Sequence, residues 1–524
     1  MPRRNHLDSL MRRAKRGADE LLCLAQSGLP PDGLAALRQL SWPITSVNEL
    51  RKGRAILLEK ARLSCRDLKP ERAIPILVDA TSRHYSLTHS ATAHAPWLGP
   101  ALKTCMTLTW PSVHTVGAGS CTTRGLWKSI GICAAHQQLH WTEFLFVFAG
   151  GRGQVDLAPD GLTFSDELLE VQGRLARASS DHETGLRSPG LGAGTLAANL
   201  PATHRAILSA LSGTPAAAIE HLRRTPLAAI PPSQGEALLA HLWLTSELAH
   251  RVNLKSTLLH GHNEGVVLVP DPVWIRFPEQ IRHRVTSVSR LLFWTKDWFD
   301  SLGEDDLTNA IVERPLLRCD YNGDFYATSL IFVLDALAWG IEAAFFGYPR
   351  MEMLRLPEDA RHQAFSHPHE DRVINVCRAA GLYAGPVSGS GVWQNQSGTE
   401  NLGASSRHPC PGQVDCLALT SDRRTAFVFE CKVLRLPHTY SVLRNVVGKL
   451  GVGDEKGFHA NLTQKAKWLA TALGAQHIQT ALVVDRAVPL LEYAPHPVVL
   501  VSELNNYLAA QSLSPALSTG EPCP

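Results

Sequence analysis

Two charged residues stand inside an otherwise apolar segment, residues 425–433, which has the sequence Thr-Ala-Phe-Val-Phe-Glu-Cys-Lys-Val. Side chains alternate between the two faces of a β-strand, so Glu430 and Lys432 would share one face with Val428. Burying such charges is costly unless they pair with each other or bind a metal ion. Because sequences tolerate this conflict mainly at functional sites, the segment is a candidate active site.

The preceding apolar segment, residues 413–420, adds a third charged group, Asp415, on the same face as two leucines. Turn-forming residues at 421–423 separate the two segments. If the two strands pair as a hairpin, Asp415 lies beside Glu430. Two neighbouring carboxylates suit Mg²⁺, with Mn²⁺ as a substitute, because these ions prefer oxygen ligands.

An ion held there would polarise a scissile phosphate and lower the pKa of an attacking water. Lys432 would orient or deprotonate that water, or stabilise charge in the transition state. The backbone carbonyl of Cys431 would offer one more metal ligand, independent of its side chain. The residues therefore predict hydrolysis of a phosphodiester bond.

An Asp in one strand followed, after fourteen residues, by Glu-x-Lys in an apolar strand resembles the PD-(D/E)xK (restriction-endonuclease-like) nuclease superfamily. Members often carry a further Glu on a helix before the sheet, a position matched by Glu370. They often carry a Gln or Lys on the helix after the Glu-x-Lys strand, matched by Gln464 and Lys465. Residues 413–414, Gln-Val, stand where the motif has its Pro, a substitution that many members share.

This resemblance implies a Mg²⁺-dependent endonuclease that acts on nucleic acid, on DNA rather than RNA, in restriction or defence against foreign DNA. It assigns catalysis to six residues and metal binding to three carboxylates and one carbonyl: Asp415, Glu430, Lys432, Glu370, Gln464 and Lys465 for catalysis, and Asp415, Glu430, Glu370 and the Cys431 carbonyl for the metal. Two alternatives remain open. One is a catalytically inactive nuclease fold that binds nucleic acid or serves as a scaffold, and the other is a surface ion pair on an edge strand.

The elements that position these residues are predicted between 315 and 524. The pattern predicts a hairpin at 315–328 turning at Asn322-Gly323, helices at 329–346 and 369–380, and a Gly/Ser-rich loop at 388–411. After the two strands come a helix at 459–473, strands at 478–484 and 498–501, and a terminal helix at 503–510. This order predicts an α/β domain with a central mixed sheet flanked by helices.

The whole chain is predicted to be a multidomain α/β protein. Residues 1–177 form a mixed α+β domain, with helices at 7–25 and 47–61 and β-rich runs at 73–79 and 141–148. A linker at 178–198 leads to a mainly helical region at 199–312, with helices at 206–211, 216–223 and 235–252. The nuclease-like domain occupies 315–524. The two N-terminal regions are assigned no chemistry, and a protein partner or a homo-oligomer contact is expected there.

Composition limits the remaining possibilities. The net charge of +3 cannot by itself argue for nucleic-acid binding, so the prediction depends on six basic residues between Arg435 and Lys467, which would also suit a solvated surface. No apolar run approaches the roughly 20 residues that span a bilayer, so no membrane partner is expected. Eleven cysteines without a CxxC framework predict free thiols in the cytoplasm.

Four residues in the N-terminal region are of zinc-ligand type: Cys121, Cys133, His136 and His140. Their spacing, C-x11-C-x2-H-x3-H, is not that of a zinc finger, and no second pair reinforces it. The favoured interpretation is unrelated cysteines and surface histidines.

Overall fold

The computed structural model describes most of the chain, and its residues divide into two compact units. The first unit extends to Leu356, and the second contains Pro357 and the residues after it, together with two short stretches from earlier in the chain. The hairpin and helix predicted for 315–346 therefore belong to the first unit and not to the second. The described residues are 2–25, 29–87, 97–114, 121–173, 200–213, 227, 230, 232–260, 265–270, 278–319, 325–403, 408–435, 440–450, 457–485 and 494–512.

The beginning of the first unit is mainly helical. Its elements up to residue 164 are α1 Pro2–Leu24, α2 Pro31–Leu37, α3 Val47–Arg66, α4 Pro70–Leu87, α5 Leu98–Thr109, α6 Thr123–Phe148, β1 Val155–Ala158 and β2 Gly161–Phe164. The predicted β-runs at 73–79 and 141–148 are wrong, since they lie inside α4 and α6. Both helices are buried on most sides by neighbouring helices, so their sequences are apolar over several consecutive residues. Such a continuous apolar run resembles that of a buried strand.

The rest of the first unit combines helices with a small sheet. Its elements are α7 Leu200–Ser212, α8 Pro232–His260, β3 Val267–Pro270, α9 Arg282–Ser289, α10 Lys296–Asp300, α11 Ala310–Glu313, β4 Leu317–Arg318, β5 Phe325–Thr328 and α12 Leu330–Phe346. The predicted pairing of β4 with β5 is confirmed, and β3 joins them on the other side of β5. The predicted turn, the helix at 216–223 and the linker at 178–198 lie outside the described residues.

The second unit is built around a seven-stranded mixed sheet of order β12-β11-β10-β9-β6-β7-β8. Strands β10, β11 and β12 run parallel, and the other neighbours pair antiparallel. This confirms a mixed sheet flanked by helices. The elements are α13 Glu358–Arg361, α14 His367–Ala379, β6 Tyr383–Val387, β7 Val392–Asn395, β8 Gly398–Asn401, β9 Val414–Leu419, β10 Thr425–Lys432, α15 Tyr440–Leu450, α16 Phe458–Leu473, β11 His477–Val484, β12 Val498–Leu500 and α17 Leu504–Ser512.

Each face of this sheet buries its own apolar core. Phe427, Phe429 and Cys431 of β10 pack with residues of α14 and α17 on one face. Val428 packs with residues of α15 and α16 on the other face. The alternation predicted for β10 is therefore confirmed, and it fixes which helices lie beside Glu430 and Lys432.

Part of the sheet departs from the prediction. The expected loop at 388–411 contains the hairpin of β7 and β8, and β6 and α15 were not predicted. Strand β6 includes Gly385, where an added Cβ would lie 1.5 Å from the carbonyl oxygen of Gln394. The close approach of two backbones requires glycine there. Because glycine is rare in strands, its presence argued against a strand at this position. None of the described helices is both long and apolar enough to cross a bilayer.

Candidate active site

The pairing of β9 with β10 brings the predicted acids together. Cys416 lies opposite Phe429 and Leu417 opposite Val428, so the same antiparallel register, continued by one residue, sets Asp415 opposite Glu430. Both carboxyl groups are buried, with 8% of Asp415 and 6% of Glu430 exposed. Two buried acids side by side repel each other unless cations accompany them.

Glu430 is held by two lysines. Its Oε1 accepts a hydrogen bond from Lys432 Nζ at 2.6 Å, and its Oε2 accepts one from Lys465 Nζ at 2.5 Å. Lys432 comes from the same strand and Lys465 from α16. Burial opposes ionisation of Glu430, but the two ammonium groups outweigh it and lower the pKa of this carboxyl. Glu430 is therefore ionised at neutral pH.

Asp415 has a different environment. Its Oδ2 accepts a hydrogen bond from the backbone N–H of Cys431 at 2.8 Å and lies 3.7 Å from Lys432 Nζ. Burial and then the charge of Glu430 raise the pKa of Asp415. Burial alone would lower the pKa of Lys432, but the two carboxylates raise it. Lys432 is thus a cation in this arrangement and a hydrogen-bond donor.

The predicted alternative of a surface ion pair on an edge strand is wrong. Strand β10 lies inside the sheet, between β9 and β11, and its burial is nearly complete. Ion pairs on a surface contribute little, whereas Glu430 and its lysines form a mostly buried charged network. Such a network is retained in the middle of a sheet at a cost in desolvation, which points to a role other than stability.

Glu370 stands in the first turn of α14. Burial and then the negative charge of Asp415 raise its pKa to about 7, while Lys432 acts in the opposite direction. Among the described residues, Glu370 does not join Asp415 and Glu430 in a group whose carboxylate oxygens all lie within 4.8 Å of one another. The role of Glu370 as a third metal ligand therefore stays a prediction.

The two predicted residues of α16 do not share a position. Lys465 is buried against Glu430, whereas Gln464 is exposed. Consecutive residues on a helix point about 100° apart, so only one of the two can face the sheet. The structure therefore does not bring Gln464 into the site. Cys431 contributes its backbone N–H to Asp415, and its thiol lies on the opposite face of the sheet.

Three neighbours of the site were not predicted. Asp485, which follows β11, accepts a hydrogen bond from the N–H of Leu434 at 2.7 Å. His369 Nε2 lies 3.1 Å from the carbonyl oxygen of Val483. Lys432 Nζ lies 5.1 Å from the ring centroid of Phe458. A signal existed for Asp485, because an acid directly after an apolar parallel strand lies at the same sheet end as the end of β10.

Asp415 and Glu430 offer carboxylate oxygens, which fit Mg²⁺ or Mn²⁺ and do not fit a soft ion. Both oxygens of Glu430 contact lysines here. A metal ion bound by Glu430 would therefore compete with one of these ammonium groups.

The structure describes the exposure of only some of the basic residues in the 435–467 segment. Lys449 and Lys467 are exposed, and Lys465 is buried in the site. Lys456 and the side chain of Arg444 lie outside what the structure describes. A basic surface beside the site stays a prediction.

In the first unit, the expectation of surface histidines is wrong. His136 is fully buried and His140 is 8% exposed, both on α6. His136 Nε2 lies 2.8 Å from Glu304 Oε1, and His140 Nε2 lies 3.1 Å from Asp305 Oδ1. These histidines pair with acids, and neither joins Cys121 or Cys133 in a zinc-ligand group of the described residues.

Comparisons of the chain with protein-family models, with curated proteins and with solved structures found no match. The function must therefore be argued from the site itself.

Proposed function

We propose that the second unit is a metal-dependent nuclease that hydrolyses phosphodiester bonds, with DNA as its preferred substrate. One observation carries the proposal: Asp415, Glu430 and Lys432 converge at one end of the sheet, with Lys465 bound to Glu430. Two buried carboxylates and a part-buried lysine on two central strands are expensive to keep without a function.

The chemistry follows from the charges of these residues. Mg²⁺ held by Asp415 and Glu430 would supply positive charge that polarises a phosphodiester. Lys432, kept protonated by its carboxylates, donates hydrogen bonds to phosphate oxygens or to the attacking water. It cannot serve as a base in that state. Glu370, whose pKa is about 7, exchanges a proton near neutral pH and is the better candidate base.

In hydrolysis, water forms a new bond to phosphorus while a P–O bond to one nucleoside breaks. The proton from water goes to the base, and the leaving oxygen takes up a proton. We place this activity in restriction or defence, which the resemblance to the PD-(D/E)xK superfamily implies. We place it in the cytoplasm, because free thiols, as in the described part of the chain, suit a reducing compartment. The N-terminal unit would then select the target or bind a partner.

The test is cleavage of supercoiled plasmid, linear duplex DNA, single-stranded DNA and RNA by purified protein with Mg²⁺, Mn²⁺ or EDTA. Wild type should cut DNA only with metal, and Asp415→Asn and Lys432→Met should each lower the rate by at least about 100-fold. Glu503→Gln, which changes an exposed acid of the same unit, serves as the control and should cut normally.

Two results would contradict the proposal. Cleavage retained by both site variants would show that the activity lies elsewhere or in a contaminant. Binding of nucleic acid that is unaffected by EDTA and by Lys432→Met, without any cleavage, would favour an inactive nuclease-like binding module.

A further inference from the structure

Three cysteines converge in the core of the N-terminal unit, far from the site of the proposed nuclease in sequence. Cys65 lies near the end of α3, Cys105 in α5 and Cys133 in α6. Their sulfur atoms all lie within 4.8 Å of one another, and the Cys65 and Cys105 sulfurs are 3.8 Å apart. All three residues are fully buried.

This geometry is close to that of a metal-thiolate centre. In a trigonal site, sulfurs 3.8 Å apart would each stand about 2.2 Å from a central ion, close to ordinary metal–sulfur distances. The longest of the three separations would need to shorten by less than about 1 Å. Small side-chain rotations supply shifts of that size, because each thiol turns about a single torsion.

The donor set selects the kind of ion. Among the described residues, no fourth His, Cys, Asp or Glu lies within 4.8 Å of all three sulfurs. Structural zinc is almost always four-coordinate, and a fully buried site offers no water as the missing ligand. Thiolates are soft ligands that favour Cu(I), which accepts three sulfur ligands.

We propose that Cys65, Cys105 and Cys133 form a three-thiolate Cu(I) site that ties α3, α5 and α6 together. Binding is a substitution in which Cu–S bonds form and thiol protons leave to solvent, without electron transfer. Since the sulfurs are sealed from solvent, the ion reaches them through local opening of the three helices. Copper then stabilises the folded unit by its affinity for that state alone.

The experiment uses the full chain, reduced and freed of metal under anaerobic conditions. Cu(I) is supplied as its coloured bathocuproine disulfonate complex, and the protein should remove one copper per chain. Cys65→Ala, Cys105→Ala and Cys133→Ala should each remove none. Cys319→Ala, which changes another fully buried cysteine of the same unit, is the matched control and should still remove one.

Two wild-type measurements keep the test independent of how the alanine variants fold. Native mass spectrometry should show one copper atom, and X-ray absorption should show three sulfur neighbours at about 2.2 Å. Failure of the wild type to bind Cu(I), or equal binding by the triple alanine variant, would mean that the thiols are only core packing and would overturn the proposal. One zinc bound in preference to copper would overturn the choice of ion.

Discussion

The raised pKa of Glu370 predicts that its carboxylate destabilises the protein at neutral and alkaline pH. The substitution Glu370→Gln preserves the size of the side chain and removes its charge. It therefore imitates the protonated acid, which the folded state prefers. We expect the variant to be more stable than the wild type in the absence of metal.

The size and pH range follow from the pKa. A rise from 4.5 to about 7 corresponds to about 3.4 kcal/mol at 1.36 kcal/mol per pKa unit. Because Glu370 is only half-buried, solvent screening reduces this to about 1–2 kcal/mol. Below pH 4.5 the group is protonated in both the folded and the unfolded chain, so no penalty exists. The penalty grows as pH rises from 4.5 to 7 and is constant above that.

Urea unfolding of both proteins at pH 4, 6 and 8 measures this difference. Glu370→Gln should match the wild type at pH 4 and exceed its free energy of unfolding by about 1–2 kcal/mol at pH 8. Glu503→Gln, at an exposed glutamate of the same unit, should show no such pH-dependent gain. Equal or lower stability of Glu370→Gln at pH 8 would refute the reasoning.

Metal gives the same substitution a second effect of opposite sign. If Glu370 is a ligand, Mg²⁺ or Mn²⁺ at pH 8 stabilises the wild type by binding its ionised carboxylate. The thermal shift with saturating metal should therefore be larger for the wild type than for Glu370→Gln. Equal shifts would remove Glu370 from the ligand set and leave the stability argument intact.

Three further substitutions test the packing and charges described above. Lys465→Met leaves the buried Glu430 carboxylate with one cation, so the free energy of unfolding in urea should fall by about 2–4 kcal/mol. The double variant Lys465→Met/Glu430→Gln removes that unpaired charge and should recover much of the loss. His241 is fully buried with its pKa lowered to about 4 by burial, so the unfolded chain takes up the proton first as the pH falls. Between pH 6.5 and 5, the free energy of unfolding of the wild type should therefore fall by about 2 kcal/mol relative to that of His241→Leu. Gly385→Ala forces a methyl group into the facing backbone and should cost about 3 kcal/mol in thermal unfolding, whereas Gly389→Ala, in open space, should cost less than about 1 kcal/mol. Equal stabilities within any of these pairs would contradict the corresponding contact.

The two strands of the candidate site could be predicted because their sequence conflicts with its own pattern. An acid and a lysine at alternate positions of an apolar run define both the strand and its functional face. The same reasoning placed α12, whose N-cap is Ser329, and α16, because each has an apolar pattern bounded by a clear helix signal.

The missed elements share a different physical cause. Strand β6 contains Gly385 for a backbone contact that exists only after β7 folds against it. The runs at 73–79 and 141–148 are apolar on most sides because surrounding helices cover them, and this burial cannot be distinguished from a strand by local periodicity. In both cases the secondary structure is determined by tertiary packing, and the residues of the segment alone do not determine it.

The two clusters of the chain differ in the same way. Asp415 and Glu430 are separated by fourteen residues, on strands joined by a short turn, so their meeting follows from a hairpin register. Cys65, Cys105 and Cys133 are separated by 39 and 27 residues and lie on three helices, so their meeting follows only from helix packing. Motif rules that look for metal ligands a few residues apart in the sequence do not detect a proposed site of this kind. A buried site assembled by tertiary packing must instead be recognised from the convergence of its donor atoms, which the copper titration tests directly.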